Sequence, residues 1–374
     1  MVEYHEDNPR STWSTGTHCD ALDGVRGLAI LAVTLYRLGV QLDPQPHPAL
    51  AIIHRLAPVG ERGVDLFFVL SGFLITGILL RSKERPHYFR DFLTRRALRI
   101  FPLYFLCLAV GLWVLPRYSR TDLFAIPPAE QWYLWSYTSN LRMSWLNAWC
   151  FGPFDHFWSL AVEEHFYLVW PAIVLMFSSQ GLATVCLATI VIVAVGRTLA
   201  ALSPECHVAV DVLTIFRIDA LAMGALLAVI LQSAVAERRI RKIAWLIIAV
   251  VLPFLMGIAV AGRLFLGLPN SLAPMFFAAA MALVMLSPRR STLVRSLESP
   301  PLRRLGKYSY GMYVLQLPLV YLLPLSLWRG VLPIDALTHS ALYVAGMFGL
   351  ILLMAMASFH LFESYFLKLK QRFH

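Results

Sequence analysis

Apolar residues in this chain come in long unbroken runs, not in alternation with polar ones. Ten runs stand out, at roughly 25–42, 63–80, 100–116, 157–177, 181–202, 208–232, 243–261, 268–287, 308–328 and 341–363. About 20 apolar residues in a helix cross the hydrocarbon layer. The alternating pattern of a membrane barrel is absent, so helices are the predicted spanning elements. The expected fold class is all-α, a polytopic membrane bundle of about ten transmembrane helices without a clear internal repeat.

The segments between the runs predict the orientation. Basic residues gather at Arg81 to Arg99, at Arg238 to Lys242, at Arg289 to Lys307, and at Lys368 to Arg372. With ten helices all four clusters fall on one side, which the positive-inside bias makes the cytoplasm, with both termini there. One helix more or fewer would scatter them. The domain reading is a single unit over 1–374. It has a polar tail over 1–20, a basic cytoplasmic segment over 81–99 and an outer loop over 117–156, with no soluble domain after the tenth span and no cleavable signal at the start. Trp132, Trp135, Trp145 and Trp149 in that outer loop fit an interfacial aromatic belt; a platform for a sugar-bearing acceptor is the alternative.

Composition narrows the class. The chain is 58% hydrophobic and 14% charged, more apolar surface than a soluble domain of 374 residues hides. The net charge of +10 is accounted for by topology, so no nucleic-acid partner is expected. Five cysteines, Cys19, Cys107, Cys150, Cys186 and Cys206, form neither a metal-binding spacing nor a disulfide framework. Cys150 and Cys206 would both lie near the outer surface, where two free thiols or one bridge are compatible with the sequence.

Several spans carry charges that hydrocarbon does not tolerate without a partner. Arg26 and Arg37 are eleven residues apart on the first. They therefore share a face about 16 Å apart along the axis. A guanidinium facing lipid costs at least ~2.5 kcal/mol, so this face turns inward unless each arginine snorkels to an end. Asp65 opens the second span, Glu163, Glu164 and His165 lie in the fourth, Arg217 and Asp219 in the sixth, and Glu363 closes the tenth. Such residues mark an active site or pathway, or an ion-pair network tying helices together. Depth predicts that Arg37 and Asp65 lie close enough to interact. Glu163 and Glu164 point about 100° apart, so one is expected to face a cavity and the other to pair with an arginine such as Arg217.

Six stretches then resemble one family in order. They are Asp23-Gly24-Val25-Arg26-Gly27, Gly63 through Ser71 to Thr76, Arg95-Arg96-Ala97-Leu98-Arg99 through Tyr104, Trp158-Ser159-Leu160-Ala161-Val162-Glu163-Glu164, Arg217-Ile218-Asp219, and Leu305 through Tyr313. Together they resemble the membrane acyltransferase-3 proteins, which O-acylate sugars and envelope glycans. The resemblance implies a multi-pass protein of a bacterial inner membrane. It implies a cytoplasmic acyl-CoA donor, usually acetyl-CoA, no metal, and a sugar, glycan or glycolipid acceptor reached from outside. The residues it points to for catalysis are Arg37, Asp65, Glu163, Glu164 and His165. Arg26, Arg95, Arg96, Arg99 and Tyr104 would hold the donor, the arginines through the CoA phosphates. Asp23, Ser71, Trp158, Ser159, Arg217, Asp219, Tyr313, Gln316 and Glu363 would form the polar core.

Three positions depart from the family pattern. The histidine that ends the opening motif is Arg37 here, the histidine before the late proline is Gln316, and the glutamine after the paired glutamates is His165. Arginine is neither a general base nor an acyl acceptor near neutral pH. The sequence therefore leaves three explanations. In the first, the base has moved to His165, Glu163, Glu164 or His156. In the second, the chain binds donor or acceptor without turnover. In the third, Arg37 is an inactivating substitution in an otherwise active parent. A transporter of polar solutes is the remaining class, and no pair of interrupted half-helices supports it.

Overall fold

The computed structural model describes residues 9–14, 18–43, 47–118, 122–233, 235–261, 267–328 and 335–369. Among the described residues there is no strand. Among the described residues ten long helices carry the architecture: α1 (Asp20–Gly39), α2 (Gly63–Ser82), α3 (Tyr88–Ala109), α4 (Trp158–Met176), α5 (Ser179–Ala200), α6 (Thr214–Gln232), α7 (Glu237–Ala261), α8 (Gly267–Leu286), α9 (Pro300–Leu322) and α10 (Ala336–Ser358). Each of the ten predicted runs falls on one of them.

Among the described residues seven helical stretches are long and apolar enough to cross a membrane, those containing α2 to α7 and α10; Asn270–Leu286 of α8 is a shorter apolar helix. The fold is a polytopic helical membrane bundle. The remaining two helices, α1 and α9, are too polar to meet that description. Asp20, Asp23, Arg26 and Arg37 interrupt α1, and Arg303, Arg304 and Lys307 open α9. They tolerate this polarity because they pack on each other. A side chain at Gly27 would strike the Leu302 carbonyl, and one at Gly306 the Asp23 carbonyl, so the two backbones touch. The same device joins α2 to α6, where Gly72 lies on the Leu221 carbonyl and Gly224 on that of Val69. Small residues give such close crossings in lipid, where packing and not the hydrophobic effect holds helices together.

Two boundaries differ from the sequence expectation. The basic stretch before the third span is largely helix, because α3 starts at Tyr88 and carries Arg95, Arg96 and Arg99 on its own surface. At its far end α3 passes through a π-turn, Val110–Val114, and α10 ends in another, Phe359–Glu363. The segment that the sequence reading takes as an outer loop is also folded. It forms two short helices, Pro128–Trp135 and Ser139–Leu146, clamped by Arg142, whose Nε and Nη2 donate to Glu130 at 2.8 and 2.6 Å. Trp145 is 83% exposed there, and Trp132 and Trp149 are also exposed, as membrane-interface residues are. Cys150 and Cys206 are both free thiols. Lys370 and Arg372, on which part of the expectation for the C-terminus rests, lie outside the described residues.

Candidate active site

Helices α1, α2, α3, α4 and α9 enclose a cavity of about 120 Å³. Its walls are laid out in order of depth. Arg26, Arg96 and Arg99 stand at the basic end, Ser71, Glu163 and Tyr167 at mid-depth, and Ser159 and Tyr313 at the far end. Helical spacing produces this order: Ser159, Glu163 and Tyr167 follow one another at i, i+4 and i+8 on α4, covering about 12 Å of one face. At the basic end the cavity meets a vestibule of about 870 Å³, with Arg26, Leu74, Arg96 and Arg99 in the walls of both. Arg81, Arg303, Arg304 and Lys307 add to the vestibule's positive charge, and Asp23 is its acidic residue.

Glu163 is the carboxylate that faces the cavity. The Tyr167 hydroxyl donates to its Oε2 at 2.9 Å. That uses the one phenolic proton, so Ser71 Oγ, 2.7 Å from the same oxygen, donates to Tyr167. The Arg96 guanidinium lies 6.0 Å from the Tyr167 ring centre and contributes positive charge above this trio. At the far end the Tyr313 hydroxyl lies 2.9 Å and the Ser159 hydroxyl 3.3 Å from the His156 carbonyl, and the two hydroxyls are 2.5 Å apart. Beyond this pair the packing closes. His156 and Gln316 are fully buried, His156 Nε2 lies 3.3 Å from the Val314 carbonyl, and Thr34 donates to Gln316 Oε1 at 3.3 Å. His156 Nδ1 and Gln316 Nε2 have no hydrogen-bond partner.

The other sequence-selected residues go elsewhere. Glu164 is absent from the cavity wall, and its Oε1 is unpaired. His165 turns to α6, with Nδ1 2.7 Å from Thr214 Oγ1, so it ties two helices together. Tyr104 is buried, stacks on Tyr137 with ring centres 4.2 Å apart, and donates to the Leu134 carbonyl at 2.7 Å. It holds the outer segment, well away from the vestibule. Arg95 lines neither space. Asp23 bridges His18 and Arg26 at 2.7 and 3.0 Å, which orients Arg26 at the cavity mouth. Glu363 accepts from Ser358 at 2.8 Å inside the π-turn.

Both predicted ion pairs are corrected. Arg37 does not pair with Asp65, because the close α2–α6 crossing delivers Arg217 to Asp65 first, with Arg62 at 3.3 Å as a second partner. Arg217 is therefore not the partner of Glu163 or Glu164. Its guanidinium also lies 5.4 Å from the ring centre of Trp158, placing that residue with the ion pair. Arg37 stacks over Tyr36 at 4.9 Å, and its buried Nε is without a hydrogen-bond partner. Asp219 pairs with Arg197 at 2.5 Å and accepts from Ser271 at 2.9 Å. Sequence reading missed Arg197, which is 0% exposed. A lone arginine inside the apolar run 181–202 was its signal. It also missed Tyr167, whose position at i+4 from Glu163 put it on the same face, and the share of Arg81, Arg303, Arg304 and Lys307 in the vestibule.

A multi-pass helical membrane protein with a narrow chamber behind a cationic vestibule is thus the class that fold and site define. Residues 20–357 match the family model described as an acyltransferase domain, and the chain belongs to this family. Three curated relatives illustrate the likeness. The peptidoglycan O-acetyltransferase OatA of Listeria monocytogenes is 31% identical over 176 residues, 45% of this chain and 26% of that protein. A Bacillus subtilis protein named as a putative peptidoglycan O-acetyltransferase, YrhL, is 35% identical over 161 residues, 40% of this chain and 23% of its own length. The O-acetyltransferase OatA of Staphylococcus aureus is 24% identical over 339 residues, 84% of this chain and 52% of that protein. The chain spans about half or less of the length of these relatives. No solved structure matches it.

Proposed function

We propose that the chain transfers an acyl group, most simply acetyl, from acyl-CoA on the cytoplasmic side of a bacterial inner membrane to a hydroxyl of an envelope sugar or glycan. One observation carries this reading: a vestibule rich in arginine narrows into a chamber holding one hydrogen-bonded carboxylate, Glu163. The vestibule suits the phosphates of CoA, because guanidinium groups bind phosphate oxygens through paired, charge-assisted hydrogen bonds. The chamber suits the thin thioester arm. In this reading Glu163 takes the proton of the attacking hydroxyl and returns it to the leaving sulfur, and Arg96 steadies the negative charge that develops. Oriented this way, the basic end faces the cytoplasm, as the positive-inside bias requires. The relatives named for peptidoglycan O-acetylation favour a cell-wall glycan as acceptor.

Arg37, at the position where the family pattern has histidine, favours a second reading in which the chain binds donor without turnover. One experiment separates the two. Purified protein in detergent is titrated with CoA by calorimetry, and acetyl-CoA turnover is followed by thiol release, with Arg37→His beside it. Turnover by either form supports transfer. Binding without turnover in both supports the second reading, and absence of binding overturns both.

A further inference from the structure

We propose that the Phe67 ring gauges acyl length and restricts the donor to acetyl and propionyl thioesters. This inference deepens the acyl-CoA reading above and rests on it. It starts from the size of the chamber. Pockets that surround whole small molecules run to about 300–1,000 Å³, and this chamber holds about 120 Å³. It is a slot for the tip of a ligand whose bulk stays in the vestibule of about 870 Å³. A thioester that reaches Glu163 from the vestibule points its acyl tail at the far end. Helix geometry sets the depth left there. Ser159 lies one turn beyond Glu163 on α4, about 6 Å along the axis. Carbon atoms keep about 3.5–4.0 Å from the end wall. At about 1.5 Å a bond, the remainder takes about one or two carbons beyond the carbonyl.

Phe67 stands at that end. It is one turn outward of Ser71 on the same face of α2, as Ser159 is of Glu163 on α4. Its ring meets the Tyr313 ring edge-on, with centres 6.4 Å apart. The other apolar side chains at this depth are committed elsewhere. Phe68 is 1% exposed, packs edge-on against Trp158 with centres 5.9 Å apart, and has the Arg217 guanidinium 5.6 Å from its own ring centre. Val64 and Leu160 are buried. Phe67 lines the chamber and is only partly buried, so its ring keeps free surface for the tail to meet.

The wall behind Phe67 is firm. The Tyr313 hydroxyl is held 2.9 Å from the His156 carbonyl and 2.5 Å from the Ser159 hydroxyl, so its ring cannot retreat without losing both contacts. His156 and Gln316 behind it are fully buried. A longer tail must push Phe67 and Tyr313 out of their packing, and a close-packed interior resists added methylenes. A short tail gains apolar contact with the ring at no such cost. The chamber therefore selects by length, while the vestibule holds the part common to all CoA esters.

The test titrates the purified full chain in detergent with CoA, acetyl-CoA, propionyl-CoA and hexanoyl-CoA by calorimetry. The parent is expected to bind acetyl-CoA and propionyl-CoA at least as tightly as CoA. Its affinity for hexanoyl-CoA should fall about tenfold or more below that for acetyl-CoA. Phe67→Ala opens the end and should raise hexanoyl-CoA affinity about tenfold or more over the parent, with CoA itself unchanged. Phe67→Leu, a milder change, should shift the same ratio in the same direction, and Phe67→Trp should penalise propionyl-CoA against acetyl-CoA. A side chain that merely holds the fold would move all four ligands together. Equal binding of acetyl-CoA and hexanoyl-CoA by the parent, or a length preference that survives in every folded Phe67 variant, overturns the gauge and leaves the donor reading standing. Failure of the parent chain to bind CoA overturns the donor reading, and the gauge with it.

Discussion

Glu163 and Tyr167 sit one turn apart on α4, and the phenol donates to the carboxylate at 2.9 Å inside the chamber. The pair fixes the carboxylate's orientation towards the chamber. Glu163→Gln preserves shape and hydrogen bonding but removes the proposed base. Acetyl-CoA turnover should fall by about 10²–10⁴-fold, with CoA affinity in calorimetry unchanged. Tyr167→Phe, which frees the carboxylate to turn, should cost less than the loss of the base itself.

Asp65 is 1% exposed and compensates the buried Arg217. Asp65→Ala leaves that guanidinium facing a weaker counter-charge. The expected loss is about 3–5 kcal/mol of stability, the usual result of breaking one side of a buried pair. Thermal unfolding in detergent measures it. Replacing both partners together, Asp65→Leu with Arg217→Met, should cost less than the two single changes added.

The vestibule arginines are predicted to matter for the donor and little for the fold. Arg99→Glu should weaken CoA binding by about 10–100-fold, as loss of one hydrogen bond to a charged group does at 1.5–3 kcal/mol. The unfolding temperature should stay close to that of the parent. Raising salt should weaken CoA binding to the parent more steeply than to the variant.

The two short helices Pro128–Trp135 and Ser139–Leu146 carry a pH-dependent clasp. The hydrogen bond from Arg142 holds the Glu130 carboxyl below the ordinary carboxylate range. A lowered folded-state value means that the clasp is fully formed above the unfolded carboxylate's titration and is lost as pH falls through the folded one. Hydrogen exchange of residues 128–146 should therefore rise on acidification below the usual carboxylate range. Glu130→Gln should show the faster exchange at neutral pH and lose the pH dependence.

Much of the architecture was legible because it depends on local composition. Apolar runs placed all ten long helices, and the inward face of α1 announced itself through Arg26. The chamber was half legible: the i+4 and i+8 spacing of Ser159, Glu163 and Tyr167 lies in one continuous stretch. Partner choice was not legible. Arg37 and Asp65 matched in depth, yet a close crossing set by Gly72 and Gly224 gave Asp65 to Arg217. Depth is a one-dimensional coordinate, and helix rotation decides which of several charges at that depth come together. Tyr104 failed for the same reason, since its motif neighbours Arg96 and Arg99 face the chamber and it does not.

The contact of Gly306 on the Asp23 carbonyl has a consequence for how the molecule is made. The wall that Arg26 shares with Tyr313 is built from two long helices far apart in the sequence, α1 and α9. Until the second of them arrives, the chamber has no side there. The chamber is thus assembled only after both helices have been inserted.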